Sequence, residues 1–309
     1  MMTEIKRSLE ARFKMKDLGR LHHCLGITVE YDNSGSCLWL HQKPYILSML
    51  EKFGLSQAKT VSTPANFSSK LRKNDDQAKS IDPTLYQSMV GSLLYAAMAT
   101  RPDIAQAVGA VSKFCSNPSE THLTAVKRIF RYLKDTVNLG LKFQKTEGNV
   151  LVGYSDADWA GDLDDRHSTS GNLFLLAGGA ISWLSKKQPT VSLSTAEAEY
   201  VSLCSATQEA VWIRRLLHDI NCSQGAPTVI KEDNQGTIAI ARNPVSHSRT
   251  KHIEIKYHYV RETIMDGQVS LEYCPTEEMI ADLFTKPLAS ERFAKLRGAM
   301  GLTPVTSNN

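Results

Sequence analysis

Two glutamates stand two residues apart in STAEAEY, Ser194 to Tyr200, directly after a run that reads as a strand, AISWLSKKQ. Ser194 followed by Glu197 is a capping box: the serine side chain accepts from the N3 amide, and Glu197 reaches back to the N-cap amide. Glu197 therefore has a structural job at a solvated helix start. Each helical residue turns about 100°, so Glu199 points about 200° away from Glu197, one turn before Leu203 on the stripe facing a sheet. A carboxylate aimed at a sheet is costly unless something positive meets it, and a metal ion is the expected partner.

Other acids sit in similarly unexpected places. Asp156 interrupts the apolar strand VLVGYSDADWA, and Asp158 shares its face nearer the strand end. Asp233 closes the strand TVIKED, where an acid can reach a crevice at the sheet edge, while Glu232 must point to the other face. Asp282 lies between Ile280 and Leu283 in TEEMIADLFTK, read as the final helix. Taken singly, each acid is first a cap, turn or surface-pair residue. Taken together, hard oxygen ligands from strands and helices suit Mg²⁺, and two such ions about 4 Å apart can clamp the attacking and leaving oxygens of a phosphodiester displacement.

The elements that must position these acids follow from patterning. The chain has 309 residues, 42% hydrophobic and 22% charged, with a net charge of +4, which describes a globular protein large enough for two or three cores. That charge permits contact with a polyanion without identifying one. Its 6 cysteines are scattered without a CxxC pair and no signal peptide is legible, which predicts a reduced, intracellular chain. The most apolar stretch, NLFLLAGGAISWL, is too short to span a bilayer and reads as two strands about a Gly-Gly turn. No membrane partner is expected.

A helix, TEIKRSLEARF, precedes a strand pair, HHCLGITVEYD and SCLWLHQ, and a helix, KPYILSMLEKF, that stops at Gly54. Residues 67–84 read as a linker, and 85–136 as helices broken at TRPD and SNPSE. On the last of these helices Leu123, Val126, Phe130 and Leu133 form one stripe, and Lys127, Arg131 and Lys134 form a basic one. A solvated charge stripe is the first reading of the latter; phosphate contact is the second. From Asn149 the order becomes βββαβααβα, one mixed sheet with helices against it.

The motifs YSDADWAGDLDDRHSTSG, ISWLSKKQPTVSLSTAEAEY, KEDNQGTIAIARNP, RTKHIEIKYHYVRE and ADLFTK closely resemble the ribonuclease H domain ending the Pol polyprotein of copia-type LTR retrotransposons. Upstream, FKMKDLGRLHHCLGI, VSTPA, MVGSLLYAAMATRPDIAQAV and AVKRIFRYLK resemble the end of the reverse transcriptase and the connecting helices of that polyprotein. The resemblance implies an α/β fold: a ribonuclease H-like five-stranded mixed sheet with flanking helices, preceded by a helical connection and a partial palm. It divides the chain into a palm remnant (1–66), a linker (67–84), a helical thumb-like region (85–145), a ribonuclease H-like domain (146–300) and a tail (301–309).

By resemblance, Asp156, Glu199, Asp233 and Asp282 are the catalytic and metal-binding acids. Asp156 and Asp282 would hold one Mg²⁺, and Asp156, Glu199 and Asp233 a second, with Mn²⁺ able to substitute. The implied reaction is hydrolysis of the RNA strand of an RNA/DNA hybrid, with Lys127, Arg131, Lys134, Lys186 and Lys187 as phosphate contacts and the upstream reverse transcriptase portion as a partner. The implied compartment is the cytoplasm, in a virus-like particle, with the nucleus as the alternative.

Two features depart from the pattern. No histidine lies in CPTEEMIAD, where many ribonucleases H carry one, and structural roles are the safer reading for His252 and His258. The paired-aspartate hairpin of a polymerase, YVDD or YADD, does not occur, so polymerisation by this chain alone is not expected. A truncated element with an exposed sheet edge is. The alternatives to a nuclease are an inactive nucleic-acid-binding remnant and a polymerase subunit that a partner completes.

Overall fold

The protein is described by a computed structural model covering residues 2–68, 70–73, 81–145, 149–243 and 254–306. In chain order the elements begin with α1 (Met2–Arg12), β1 (His23–Cys24), β2 (Ile27–Tyr31), β3 (Cys37–His41) and α2 (Lys43–Lys52). The helices α3 (Pro83–Ala99), α4 (Ala105–Ser112) and α5 (Glu120–Asp135) follow, then β4 (Leu139–Gln144), β5 (Val152–Asp158), β6 (Thr169–Leu176) and β7 (Gly179–Lys187). The chain continues through α6 (Thr195–Asp219), β8 (Thr228–Glu232), α7 (Gln235–Arg242), α8 (Glu254–Met265) and β9 (Val269–Tyr273). Two 3-10 turns (Thr276–Glu278 and Ile280–Phe284), α9 (Ser290–Ala299) and β10 (Leu302–Pro304) close it.

Local chemistry accounts for the main boundaries. Asp82 caps α3 by accepting from the Thr84 amide with Pro83 at the first helical position, and Asn234 caps α7 through the Thr237 amide. Gly54 takes φ +66° just beyond α2, the left-handed conformation that ends a helix cheaply only at glycine.

The second half forms one five-stranded sheet in the order β7-β6-β5-β8-β9. β5, β6 and β7 are the expected antiparallel meander, with Asp156 opposite Gly171, while β8 pairs parallel to β5 and β9 parallel to β8. This mixed sheet with flanking helices is the ribonuclease H-like α/β architecture. α6, α7 and α8 bury Leu203, Ala206, Ile213, Ile238 and Val260 against Phe174, Ile230 and Leu271 of the sheet.

The first half builds a second sheet, β1-β2-β3-β4-β10, all antiparallel. β1 is its exposed edge. Its inner strand β4 falls in a stretch read from sequence as the end of a helical region. The closing strand β10 bonds Leu302 and Pro304 opposite Leu141 and Leu139, so the last described residues return to a sheet begun near the N-terminus. Helices α2 to α5 share a continuous core with β6, the second 3-10 turn and α9, through Leu93, Val108, Phe130, Leu173, Leu283, Phe284 and Leu296. The Trp183 indole donates to the Ala97 carbonyl across the same contact.

One expected element differs. TEEMIADLFTK is two tight 3-10 turns and no α-helix. Pro287 disfavours helical backbone at Lys286 and cannot donate to extend a helix, and the residues before it turn tightly against the sheet. The turns press directly on the sheet at Gly171, where an added Cβ would lie 2.7 Å from Thr285 Cγ2, 2.9 Å from Phe284 Cβ and 3.0 Å from the Ala281 carbonyl.

Gly171→Ala is therefore expected to lower stability by about 1–3 kcal/mol through overpacking. Denaturant unfolding of the variant measures this, and a loss below about 0.5 kcal/mol, the range of a neutral surface change, would contradict the close approach.

Candidate metal centre

β5, α6 and the end of β8 bring Asp156, Glu199 and Asp233 together: one carboxylate oxygen from each lies within 4.8 Å of the others. Asp156 is 1% exposed and Glu199 7%, whereas Asp233 is half-buried at the mouth. α6 is fixed against β5 by Ser202 Oγ, which donates to the Asp156 carbonyl at 2.8 Å. Thr285 Oγ1 donates to one Asp156 oxygen, and Thr276 Oγ1 donates to one Asp233 oxygen at 2.8 Å. Each aspartate is thus oriented by a threonine hydroxyl on one of its oxygens. Glu199 Oε2 is buried with no hydrogen-bond partner, an expensive state for a carboxylate unless a cation meets it. This set of hard oxygen donors fits a divalent ion such as Mg²⁺.

Glu199 lies in the acid group and Glu197 at the start of α6, where its contact differs from the expected one. Ser194 Oγ accepts from the Glu197 amide, but Glu197 is buried and accepts from the Leu193 amide, one residue before the expected cap. Glu232 also needs qualification. The pleat does turn it away from the face of Asp156, yet that face is covered by α6, so Glu232 is fully buried beside Glu199. Its Oε1 accepts from the Asn234 amide and its Oε2 has no partner. Nothing in the strand pattern alone announces this pairing, because it needs the position of a helix distant in sequence.

The electrostatics follow from this crowding. Burial pushes the Glu199 carboxyl far above its ordinary range, and the neighbouring Glu232, Asp156 and Asp233 add to the shift. Glu232 is likewise pushed well up by burial. Asp156 rises to about 6: burial raises it, the Lys286 ammonium opposes, and Asp282 adds. Asp233 rises through burial, opposed by the hydrogen bond from Thr276.

Asp282 is close to Asp156 but does not join the group that could share one ion. It is fully buried, with one oxygen 2.7 Å from Lys286 Nζ and the other accepting from Arg292 of α9. Lys286 Nζ also lies 3.7 Å from Asp156. Neither Lys286 nor Arg292 stood out in the sequence. The i, i+4 spacing of Asp282 and Lys286 was the one available signal, masked by the many surface pairs with that spacing.

The proposed phosphate contacts divide. Lys127 and Lys186 are exposed. Arg131 donates to the Lys59 carbonyl at 2.5 Å and Lys134 to the Ala58 carbonyl at 2.9 Å, strapping the segment after α2 across α5. Lys187 pairs with Asp162 at 3.0 Å and with Asp165. His258 is exposed on α8, and His252 lies outside the described residues. A cleft of about 600 Å³ opens between α4, α5 and the end of β5, with Lys70, Arg128, Asp158 and Thr285 among its lining residues. Through Thr285 it reaches Asp156. No helix among the described residues is long and apolar enough to cross a membrane.

These shifts fix a pH dependence. Asp156 has its pKa raised from 3.8 to about 6, so the native state retains a proton that the unfolded chain has lost. Its contribution to stability is complete below that window and is lost as pH rises through it. In metal-free buffer at pH 8, Asp156→Asn is expected to be more stable than the unsubstituted protein by about 1–3 kcal/mol, with the difference shrinking toward pH 5. Adding Mn²⁺ at pH 8 should stabilise only the unsubstituted protein. Thermal unfolding with and without the ion decides, and a variant no more stable at pH 8 would contradict the crowding.

Comparison with known proteins finds relatives over nearly the whole chain. Residues 1–67 match the family of reverse transcriptases (RNA-dependent DNA polymerases). The retrovirus-related Pol polyprotein from transposon TNT 1-94 of Nicotiana tabacum is 40% identical over 98% of this chain, and that from transposon RE1 of Arabidopsis thaliana is 43% identical over 96%. This chain spans 23% and 20% of the length of those relatives. A solved ribonuclease H1 isolated from compost by a metagenomic approach aligns with 48% of this chain and 97% of its own, at 16% identity and a TM-score of 0.35. The chain belongs to the copia-type Pol polyproteins of transposons, of which it represents about a fifth.

Proposed function

We propose that this chain is the ribonuclease H portion of a retrotransposon Pol polyprotein and that it hydrolyses the RNA strand of RNA/DNA hybrids with the help of a divalent cation. The observation that carries this reading is the convergence of Asp156, Glu199 and Asp233 from three separate elements, with a buried Glu199 oxygen lacking any protein partner. Fold alone would not suffice, because one architecture hosts many activities.

Asp156, Glu199 and Asp233 would hold the cation, which when bound lowers the pKa of an attacking water and offsets charge building on the phosphate. Thr285 and Thr276 each occupy one aspartate oxygen and so set which oxygen faces the ion. Glu232 lies behind Glu199, and burial pushes its carboxyl well above the usual carboxylate range. Lys127 and Lys186 are the exposed members of the proposed phosphate contacts, whereas Arg131, Lys134 and Lys187 serve the fold first. Recognition would rest on backbone shape and 2′-hydroxyls, with little sequence preference.

Purified protein with Mg²⁺ or Mn²⁺ should cut the RNA of a labelled hybrid, leave duplex DNA intact and yield 3′-hydroxyl and 5′-phosphate ends. Asp156→Asn and Glu199→Gln should each lower cleavage on the order of 10²-fold or more. Absence of cleavage under both metals, or full activity in Asp156→Asn, would refute the reading.

A further inference from the structure

We propose that Lys286 occupies the place of a second metal ion, so that the centre works with one divalent cation and one lysine ammonium. The inference rests on the nuclease reading above and departs from the two-ion arrangement that the resemblance implies.

The place between Asp156 and Asp282, where the second ion would sit, is already held by a protein cation. Lys286 Nζ is 2.7 Å from Asp282 and 3.7 Å from Asp156. The remaining Asp282 oxygen accepts from Arg292, which also donates to the Thr276 carbonyl. Both oxygens of Asp282 thus lie against protein cations, Oδ2 through a hydrogen bond from Arg292 and Oδ1 through its ion pair with Lys286 alone, since no hydrogen bond reaches it. The buried Oε2 of Glu199 in the first group has neither a hydrogen bond nor an ion pair among the described residues. The residues fit one divalent ion and do not fit two.

Charge balance points the same way. The four acids Asp156, Glu199, Asp233 and Asp282, when ionised, face two protein cations, Lys286 and Arg292. Two negative charges remain on these four, and the adjacent Glu232 adds a third when ionised; one divalent ion brings the group near neutrality. A second divalent ion would make the buried pocket net positive and would have to displace an ammonium fixed by an i, i+4 ion pair. The restraint on Lys286 comes from the fold: Pro287 follows it, and the 3-10 turn before it is pressed onto Gly171. Lys286 keeps 32% of its side chain exposed while its ammonium lies against the two buried aspartates.

Counting bound Mn²⁺ by electron paramagnetic resonance in the full chain tests this without reference to activity. The unsubstituted protein should bind one Mn²⁺, and Asp156→Asn none. Lys286→Met removes the charge at similar length and should raise the count from one to two, the second ion close enough to couple magnetically with the first. Lys286→Arg keeps the charge and should remain at one. Two Asp156-dependent ions in the unsubstituted protein would overturn the inference and leave the nuclease reading intact. A count of one in folded Lys286→Met would also overturn it, since the lysine would not be what excludes the ion. No Asp156-dependent ion would overturn both. Should Lys286→Met fail to fold, the counts in the unsubstituted protein and Lys286→Arg decide: one in each supports the inference, and two in either defeats it.

Discussion

Carboxylates gathered where water is scarce repel one another, and that repulsion constrains everything around Asp156. Glu199, Glu232, Asp156 and Asp282 are all at least nine-tenths removed from solvent. Their mutual interaction is strengthened by the low local dielectric. The molecule answers with a raised carboxyl pKa at Glu232, with Lys286 and Arg292 at Asp282, and with hydroxyl donors at Asp156 and Asp233. What these do not satisfy, the free Glu199 oxygen above all, defines the centre. An arrangement this unfavourable persists only because the surrounding packing over-determines it.

That packing comes from both halves of the chain. Gly171 admits the 3-10 turn that carries Asp282, and α9 delivers Arg292 to the same acid. α9 is held by the helical core of the first half, where Phe293 stacks edge-on against Tyr132 and Arg297 donates to the Tyr132 hydroxyl. Tyr132 itself belongs to a fully buried network with Arg101 and Asp103. A path of direct contacts thus joins the connecting helices to the acid cluster, which explains why the ribonuclease H-like sheet and the preceding helices share one core.

Much of this was legible in the sequence where periodicity and local chemistry agree. Alternation marks the meander, the capping box marks the start of α6, and the helical turn separates Glu199 from Glu197. Legibility failed where distant elements decide. β4 and β10 are short strands whose identity depends on each other. ADLFTK carries helical spacing over too few residues to distinguish an α-helix from a 3-10 turn. The basic stripe on α5 correctly suggested a charged face, but only tertiary structure shows Arg131 and Lys134 holding carbonyls of the segment after α2. The strand pattern turns Glu232 away from Asp156 but does not show Glu199 arriving beside it, and the i, i+4 spacing of Asp282 and Lys286 is one that surface pairs share.

The account stands or falls on a cation at the junction of β5, α6 and β8. Anomalous diffraction from Mn²⁺-soaked crystals tests it most directly. A peak about 2.0–2.3 Å from oxygens of Asp156, Glu199 and Asp233 is the result expected for a divalent ion of this kind. An empty map at saturating Mn²⁺, with the three carboxylates hydrogen-bonded to protein groups or turned apart, would contradict it.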